Sequence, residues 1–398
     1  MARAVGTVVR GLRAPIIKKG DDIVEIVTKT LIDAAQSEQY PIKDRDIIAL
    51  TESIVARAAG SYVAIDDIAM DAHNKFDQEK PLGILFPIFS RNRFMNLLKG
   101  FARGSKKIVL QLSYPTDEVG NALVTEQELL TSGVNPWSDV LTESDFYKIF
   151  GSTSHRFTGV DYIALYRKIV TEQDCECEII FSNNPTSILE YTDQVLTCDI
   201  HSREHTKATL KEAGAKTVLD LSDMMNQPVN GSAYNEEFGL LGANNASTES
   251  IKLFPSNSQE VVEAIQKRVF ELTGKKIEAM VYGDGAFKDP VGEIWELADP
   301  IVSPGYTDGL KGTPNEVKLK YLADNEFSNL SGDALKEAIA DKIHGKENQE
   351  ADAEAALGTT PRQLTDLLGS LADLTSGSGD KGTPFVYIQG YFDDYTSE

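Results

Sequence analysis

The residues best suited to chemistry follow a short apolar segment that runs from Ile277 to Tyr282. Gly283 and Gly285 flank Asp284 there, so the backbone can approach a bound cation that the carboxylate coordinates. An ordinary turn is the alternative, because Asp and Gly dominate turns for purely local reasons. Two more carboxylates follow closely and can complete an oxygen-rich site for a hard divalent ion: Asp289 and Glu293.

A helix and a strand are predicted to position this loop. A cluster of N-cap residues, Ser256 to Ser258, precedes the helix, and Gly274 suits a left-handed C-cap at its end. The segment from Ile277 to Tyr282 is short, apolar and bounded by glycine, which predicts a buried strand. Apolar residues recur at helical spacing between the two caps: Val261, Val262, Ile265, Val269 and Leu272.

A second helix and strand are predicted near the start of the chain. Asp22 and Glu25 have the spacing of a capping box, and an apolar helical face follows them. The segment from Asp46 to Thr51 predicts a strand, followed by Glu52, Ser53 and a turn at Gly60. Arg57 lies before that turn. It is either a surface residue or a phosphate ligand, because a guanidinium fork matches phosphate oxygens.

Two blocks of this sequence resemble the coenzyme F420-0:gamma-glutamyl ligase family. One is GLRAPIIKKGDDIVEIV followed by DRDIIALTESIVARAAG; the other runs through NNAS, LFPS and ELTGKK to a strand ending in an Asp-Gly loop. The resemblance implies an α/β fold with a mixed-sheet α+β core, an intertwined homodimer and small-molecule substrates. It further implies that GTP or ATP, with Mg²⁺ or Mn²⁺, drives the joining of L-glutamate to a deazaflavin coenzyme. A pterin-type, folate-like acceptor is a variant of the same reaction.

The resemblance also assigns residues. Asp284 matches the aspartate that binds metal at the end of the family's strand, and Asn245 falls on the second metal aspartate. Asparagine coordinates through its carbonyl oxygen but contributes no negative charge. Lys288 lies near the basic residues that follow this turn in the family, whereas Gly285 replaces a usual threonine. The resemblance therefore implies a nucleotide site that includes Gly283, Gly285 and Lys288.

The family's Ser-Lys-Ala-Glu-Gly-Arg pattern near the nucleotide and the metal falls on residues 56–61. Arg57 and Gly60 keep its first basic residue and its glycine, which assigns both to nucleotide binding and Arg57, with Lys288, to catalysis. Ala56 and Ala59 replace the serine and the acid. These departures, with Asn245, leave a second interpretation open: a non-catalytic relative that binds a nucleotide or metabolite at a decayed metal site.

The composition and the motifs of the chain limit the partners and the nucleotide sites that it can have. The net charge of −22 over 398 residues argues against nucleic-acid and anionic-membrane partners. The sequence contains neither a G-x-x-x-x-G-K-[ST] loop nor a G-x-G-x-x-G after a strand, so bound metal and scattered basic residues would have to hold a nucleotide. Three cysteines and an N-terminus without an apolar signal region predict a cytoplasmic protein with reduced thiols.

The domain organisation is predicted from these blocks. Residues 1–80 with 236–310 form the ligase-like core, 81–235 an inserted α/β region, and 311–398 a helical extension with a terminal strand. The insertion contains a basic amphipathic segment, Phe89 to Lys107, which is either a solvated helix or a cationic wall for an anionic ligand. It ends in a βαβ unit that contains His201, Glu204 and His205, whose H-x-x-E-H spacing leaves zinc-dependent hydrolysis as a remote alternative.

Overall fold

The computed structural model describes residues 4–151, 153–155, 158–283, 302–314, 316–345, 362–377, 379–394 and 396. In these ranges the chain is a mixed α/β protein with three sheets, which confirms the predicted fold class. The strands are β1 (Val8–Leu12), β2 (Ile47–Thr51), β3 (Tyr62–Ala64), β4 (Leu82–Leu85), β5 (Lys107–Leu112), β6 (Leu141–Thr142), β7 (Glu176–Phe181), β8 (Gln194–Thr197), β9 (Thr217–Asp220), β10 (Asn244–Ser247), β11 (Ser250–Lys252), β12 (Glu278–Gly283), β13 (Val302–Tyr306) and β14 (Phe385–Gln389). The helices are α1 (Ile23–Ser37), α2 (Glu52–Ala59), α3 (Ile65–Lys75), α4 (Met95–Arg103), α5 (Glu126–Ser132), α6 (Glu143–Phe150), α7 (Tyr162–Thr171), α8 (Arg203–Glu212), α9 (Ser258–Thr273), α10 (Leu319–Tyr321), α11 (Gly332–His344) and α12 (Leu364–Ser376).

Local sequence signals explain the start of helix α1, the end of helix α9 and the position of strand β12. The Asp22 carboxylate accepts a hydrogen bond from the Glu25 backbone N–H at 3.1 Å, so the predicted cap of α1 is present. Helix α9 ends at Gly274, which adopts a left-handed conformation with φ of 69°. Strand β12 then follows, and all of its residues are buried, as its apolar sequence predicts.

The first sheet has the order β1-β14-β2-β12-β13, in which β2 and β12 run parallel and every other pair runs antiparallel. Helices α1 and α9 cover one face and α12 covers the other, so alternate strand residues enter two separate apolar cores. Strand β14 lies between β1 and β2, in the interior of the sheet. The predicted division into a core and a C-terminal extension stays a prediction.

The second sheet has the order β6-β7-β5-β4-β8-β9, with five parallel strands and an antiparallel edge strand, β6. Along the chain, β5 and β7 are added on one side of β4, and β8 and β9 on the other. This is the order of a doubly wound sheet, whose winding direction reverses between β4 and β8. Helices α3, α4 and α7 contribute to the larger core on one face, and α8 covers the other.

A small antiparallel sheet of β10, β11 and β3 lies between these two sheets. Ile251 of β11 and Val63 of β3 pair in register, and both contribute to the larger core of the doubly wound sheet. Lys252, the next residue, points its side chain to the opposite face and contacts Glu52 at the start of α2. The small sheet therefore connects the two larger ones.

The basic segment around α4 is an amphipathic helix, and its charges are largely paired. Leu97, Leu98 and Phe101 are buried. Because its basic side chains are paired with carboxylates, the segment fits the solvated-helix interpretation better than a cationic wall, which needs uncompensated positive charge. The ion pairs are Lys99–Glu249, Arg103–Asp66, Lys106–Glu79 and Lys107–Glu178.

The structure also bears on the H-x-x-E-H motif, on the cysteines and on membrane-spanning segments. His201 precedes α8, and His201, Glu204 and His205 are all exposed, so the two histidines do not share a helical face as a zinc pair would require. All three cysteines are free thiols, as expected. No helix within the described ranges is both long enough and apolar enough to cross a lipid bilayer.

Candidate functional site

The carboxyl ends of β2 and β12 lie side by side and form the centre of the candidate site. The two strands are parallel, and Tyr282 is opposite Thr51. Helix α2 begins directly after β2, so its N-terminus, with positive dipole charge and free backbone N–H groups, lies at the same edge. This arrangement favours an anionic ligand there.

Gly283 ends β12 at a place where no side chain fits. A Cβ atom on this residue would lie 2.6 Å from Cγ of Glu52 and 2.7 Å from Cε1 of Phe254. The glycine thus permits close contact between the strand end and the first residue of α2. The structure places Gly283 in the strand, where the sequence suggested a loop residue, and it adjoins the N-terminus of α2.

Glu52 and Lys252 form a buried ion pair beside Gly283. Glu52 is 5% exposed, and its Oε1 lies 3.7 Å from Nζ of Lys252 on β11. Nζ of Lys252 also donates to the Ser53 hydroxyl, and the Thr51 hydroxyl donates to Oε2 of Glu52 at 3.1 Å. Removing two charges from water is costly, so a buried pair at a strand edge is a functional candidate.

Sequence reasoning placed Glu52 directly after the predicted strand but missed Lys252. The available signal was weak: a lysine follows Ile251 in a short apolar segment, which predicts only that the two side chains point to opposite faces. Its partner is far away in sequence, at the start of helix α2. Only the tertiary fold brings the ammonium to the end of β2.

Asn245 lies in the small sheet, on the face opposite Lys252. It pairs directly with Ile251, whereas Asn244 pairs with Lys252, and paired residues share a face. The Asn245 side-chain amide donates to the Arg91 carbonyl at 2.8 Å. Its buried Oδ1 accepts no hydrogen bond from any residue that the structure describes. That free carbonyl oxygen is compatible with the predicted role as a ligand of a hard cation.

Arg57 and Gly60 lie at the other end of α2 from the Glu52–Lys252 pair. Arg57 is exposed and lies five helical positions after Glu52, about 8 Å along the helix axis. Gly60 has φ of 73° and uses its N–H to cap the Ala56 and Arg57 carbonyls. A helix C-terminus carries partial negative charge, so Gly60 has a structural role here, and its nucleotide-binding role stays a prediction.

The remaining predicted site residues lie outside the described ranges: Asp284, Gly285, Lys288, Asp289 and Glu293. Their assignments as metal, nucleotide and catalytic residues stay predictions. Within the part of the chain that the structure describes, no group of three or more His, Cys, Asp or Glu side chains is arranged to hold a metal ion. A metal site built from three or more such side chains would therefore need residues outside the described ranges.

Comparisons with known proteins agree with the fold class. The model of the family described as F420-0:Gamma-glutamyl ligase matches residues 11–390, which includes both predicted blocks and the intervening doubly wound sheet. No curated protein matches the chain significantly.

Two solved structures have weak overall similarity to this chain. One is the tetrameric eIF2B-beta2-delta2 complex from C. thermophilum, at 14% identity and a TM-score of 0.22; the match covers 39% of this chain and 42% of that one. The other is the biosynthetic arginine decarboxylase SpeA from Campylobacter jejuni, at 11% identity and a TM-score of 0.15, covering 94% and 68%.

Proposed function

Because the chain belongs to the F420-0:gamma-glutamyl ligase family, we propose that it forms an amide between L-glutamate and a carboxylate-bearing, F420-0-like cofactor. Hydrolysis of GTP or ATP to the diphosphate drives the reaction. The family itself implies an enzyme that acts on small molecules. The acceptor, the nucleotide, the metal ion and the chemical route are part of the proposal.

The observation that carries this proposal is the Glu52–Lys252 pair at the ends of β2 and β12. The ammonium of Lys252, which is paired with the Glu52 carboxylate, and the backbone N–H groups at the N-terminus of α2 lie at one edge of the first sheet. Phosphoryl transfer requires chiefly positioning and charge neutralisation, which such an edge provides without a phosphate-binding glycine loop. Because Gly283 has no side chain, the Glu52 side chain can pack directly against the end of β12.

The proposed chemistry has two steps. A carboxylate oxygen of the acceptor attacks the γ-phosphorus, the bond to the bridging oxygen breaks, and nucleoside diphosphate leaves. The free amine of L-glutamate then attacks the acyl carbon, the acyl C–O bond breaks, inorganic phosphate leaves and the nitrogen loses a proton. Lys252 and, as predicted from the sequence, Arg57 and Lys288 stabilise the negative charge on the phosphoryl oxygens.

Magnesium or manganese fits the donors that the sequence offers. Asn245 presents a buried carbonyl oxygen without a hydrogen-bond partner among the described residues. It would hold the ion together with Asp284, Asp289 and Glu293, and the bound ion would supply charge neutralisation at the phosphates. The predicted homodimer is part of the same proposal, and light scattering on the purified protein tests it.

Mass spectrometry of a simple incubation tests the proposal. The purified protein is mixed with Mg²⁺ or Mn²⁺, GTP or ATP, L-glutamate, and either the deazaflavin coenzyme or reduced folates. We expect one acceptor to gain a single glutamyl unit in step with nucleoside diphosphate. Glutamylation of folate alone would identify the pterin variant, and nucleotide binding without any product would favour the non-catalytic relative.

An isotope experiment and matched variants separate the steps. An acceptor whose carboxylate carries ¹⁸O should transfer one label to inorganic phosphate, and unlabelled phosphate would disprove the acyl-phosphate route. Lys252→Met should abolish product formation, and Asp284→Ala should do the same through the metal. Lys267→Met, an exposed lysine of α9, is the control and should retain activity.

A further inference from the structure

The doubly wound sheet has its own crevice, apart from the Glu52–Lys252 pair. The winding reverses between β4 and β8, and ligands of doubly wound sheets bind beside the carboxyl ends of the strands at such a point. Helix α8, which has ten residues, begins at this edge after a short loop that follows β8. The backbone N–H groups of Ile200, His201 and Ser202, which lead into the helix, lie at this edge and favour a negatively charged group.

A carboxylate of the chain itself occupies this position. Glu118, from the loop after β5, accepts from the backbone N–H groups of Ile200, His201 and Ser202 at 2.6, 2.8 and 2.9 Å. The Ser202 hydroxyl lies 2.9 Å from the same carboxylate. Four donors therefore converge on one carboxylate, and we call these donors the α8 cradle. The geometry of the cradle suits a planar carboxylate.

One oxygen of a second carboxylate beside the cradle lacks a hydrogen-bond partner among the described residues. Asp199 is 2% exposed, and its Oδ2 lies 2.7 Å from the Thr206 hydroxyl and 2.8 Å from the Ser202 hydroxyl. No donor within the described ranges reaches its buried Oδ1. The single Ser202 proton cannot serve both Glu118 and Asp199, so two acidic groups compete for one donor. A buried carboxylate oxygen without a donor is costly, and a ligand that supplies one would relieve the cost.

The loop that carries Glu118 is anchored independently of the cradle. The neighbouring Asp117 is buried and accepts from the backbone N–H groups of Phe89, Val119 and Asn121 at 2.8, 3.0 and 2.8 Å. Its contacts fix the backbone on either side of Glu118. Rotation of the Glu118 side chain alone can therefore empty the cradle and leave the loop in place.

The crevice limits the size of any ligand. No glycine-rich turn follows β4, where Pro87, Ile88 and Phe89 stand instead, so a dinucleotide is excluded. The cavity next to the crevice, lined by Ile88, Cys198 and Ile200 among others, has a volume of about 20 Å³. That space holds roughly one water molecule, so a ligand must stay small and remain at the mouth.

We propose that the α8 cradle is a second ligand site, specific for a small carboxylic acid with a hydrogen-bond donor beside its carboxylate, such as an α-amino acid. The ligand carboxylate replaces that of Glu118 on the three N–H groups, and its ammonium group donates to Oδ1 of Asp199. Glu118 is the internal substitute that fills the cradle when the ligand is absent. The inference concerns a different sheet from the proposed ligase site and does not rest on that function.

Calorimetric titration of Glu118→Ala with L-alanine tests the proposal. Removal of the competing carboxylate should tighten the binding of L-alanine at least about tenfold relative to the wild type. Acetate, which has no donor, should bind more weakly than L-alanine. Adding Asp199→Asn should abolish this preference and preserve the acetate affinity. Asp22→Ala, which empties the N-terminus of α1, is the matched control and should gain no affinity.

Three results would overturn the proposal. The first is equal binding of L-alanine to Glu118→Ala and to Asp22→Ala. The second is binding of inorganic phosphate, but of neither carboxylate, which would mean a general anion site. The third comes from the wild-type protein, which remains informative if Glu118→Ala does not fold: saturating L-alanine should shift the amide resonances of residues 200–202, and unchanged resonances would exclude the site.

Discussion

The ammonium of Lys252 lies 3.7 Å from a carboxylate oxygen of Glu52, although one residue ends a strand, the other begins a helix, and they are distant in sequence. Lys252 ends the strand β11 of the small sheet, and Glu52 begins the helix that follows β2 of the first sheet. The pair therefore connects two layers of the fold at the edge where we place phosphoryl transfer. Its stability and its function can be tested separately.

The Glu52–Lys252 pair should be asymmetric in its effect on stability. Lys252→Met should lower the free energy of unfolding by about 3 kcal/mol, because it removes the ammonium that faces the buried Glu52 carboxylate. Adding Glu52→Gln should recover a part of that loss, since no charge then remains buried. Urea denaturation of both single variants and the double variant measures these differences. Additive losses would show that the two side chains do not interact.

Gly283→Ala should destabilise the protein by about 2 kcal/mol, because its methyl group would overlap Glu52 and Phe254. Ligase activity should fall as well, since the strand end must move away from α2. Thermal unfolding and the glutamylation assay give the two values. Gly6→Ala, where no atom lies within 4 Å of the added group, should change neither value.

Asn245→Asp should make the protein depend on a divalent cation. The new carboxylate would place an oxygen where the amide now donates to the Arg91 carbonyl at 2.8 Å, so the variant should lose stability in a chelator. Mn²⁺ should restore that stability and raise the melting temperature more than in the wild type. An equal response to Mn²⁺ in both proteins would remove Asn245 from the proposed metal ligands.

Asp199 should make the free energy of unfolding of the protein decrease as the pH rises. Burial raises the pKa of Asp199 above its usual value of 3.8, and the nearby Glu118 carboxylate raises it further, although the Thr206 and Ser202 hydroxyls oppose the shift. Because the pKa of Asp199 is raised in the folded state, this residue contributes fully to the free energy of unfolding below about pH 4. The contribution is lost as the pH rises through the folded-state pKa.

Urea denaturation across a pH series measures this effect. The free energy of unfolding of the wild type should decrease from about pH 4 upward relative to that of Asp199→Asn. The exposed Asp33→Asn should follow the wild type and serves as the control. Parallel curves for wild type and Asp199→Asn would mean that the Asp199 pKa is the same in the folded and unfolded states.

Local sequence signals predicted the features that depend on neighbouring residues. The cap at Asp22, the left-handed Gly274 and the buried strand β12 each follow from a few adjacent side chains. The βαβ unit of β8, α8 and β9 was predicted for the same reason, and its strands are indeed parallel. Such signals are reliable because capping and periodicity act within one or two turns.

The features that sequence reasoning missed depend on contacts between distant segments. Nothing near Glu118 indicates that its carboxylate reaches the start of α8, and nothing near Lys252 indicates Glu52. Gly60 is a different case: it has a local structural role as the C-cap of α2, and its assignment to nucleotide binding stays a prediction. Topology decides such contacts, and a single sequence shows topology only indirectly.

The interior position of β14 gives the chain a defined order of assembly. During synthesis, β1 and β2 leave the ribosome long before the strand that must lie between them, so until residues 385–389 emerge each lacks a neighbour on its inner side. Unpaired strand edges of this kind are prone to pair with other chains. The doubly wound sheet, whose strands all precede β10, has no such dependence and can form first. Nascent chains stopped before residue 385 should thus contain one finished sheet and one that still awaits its middle strand.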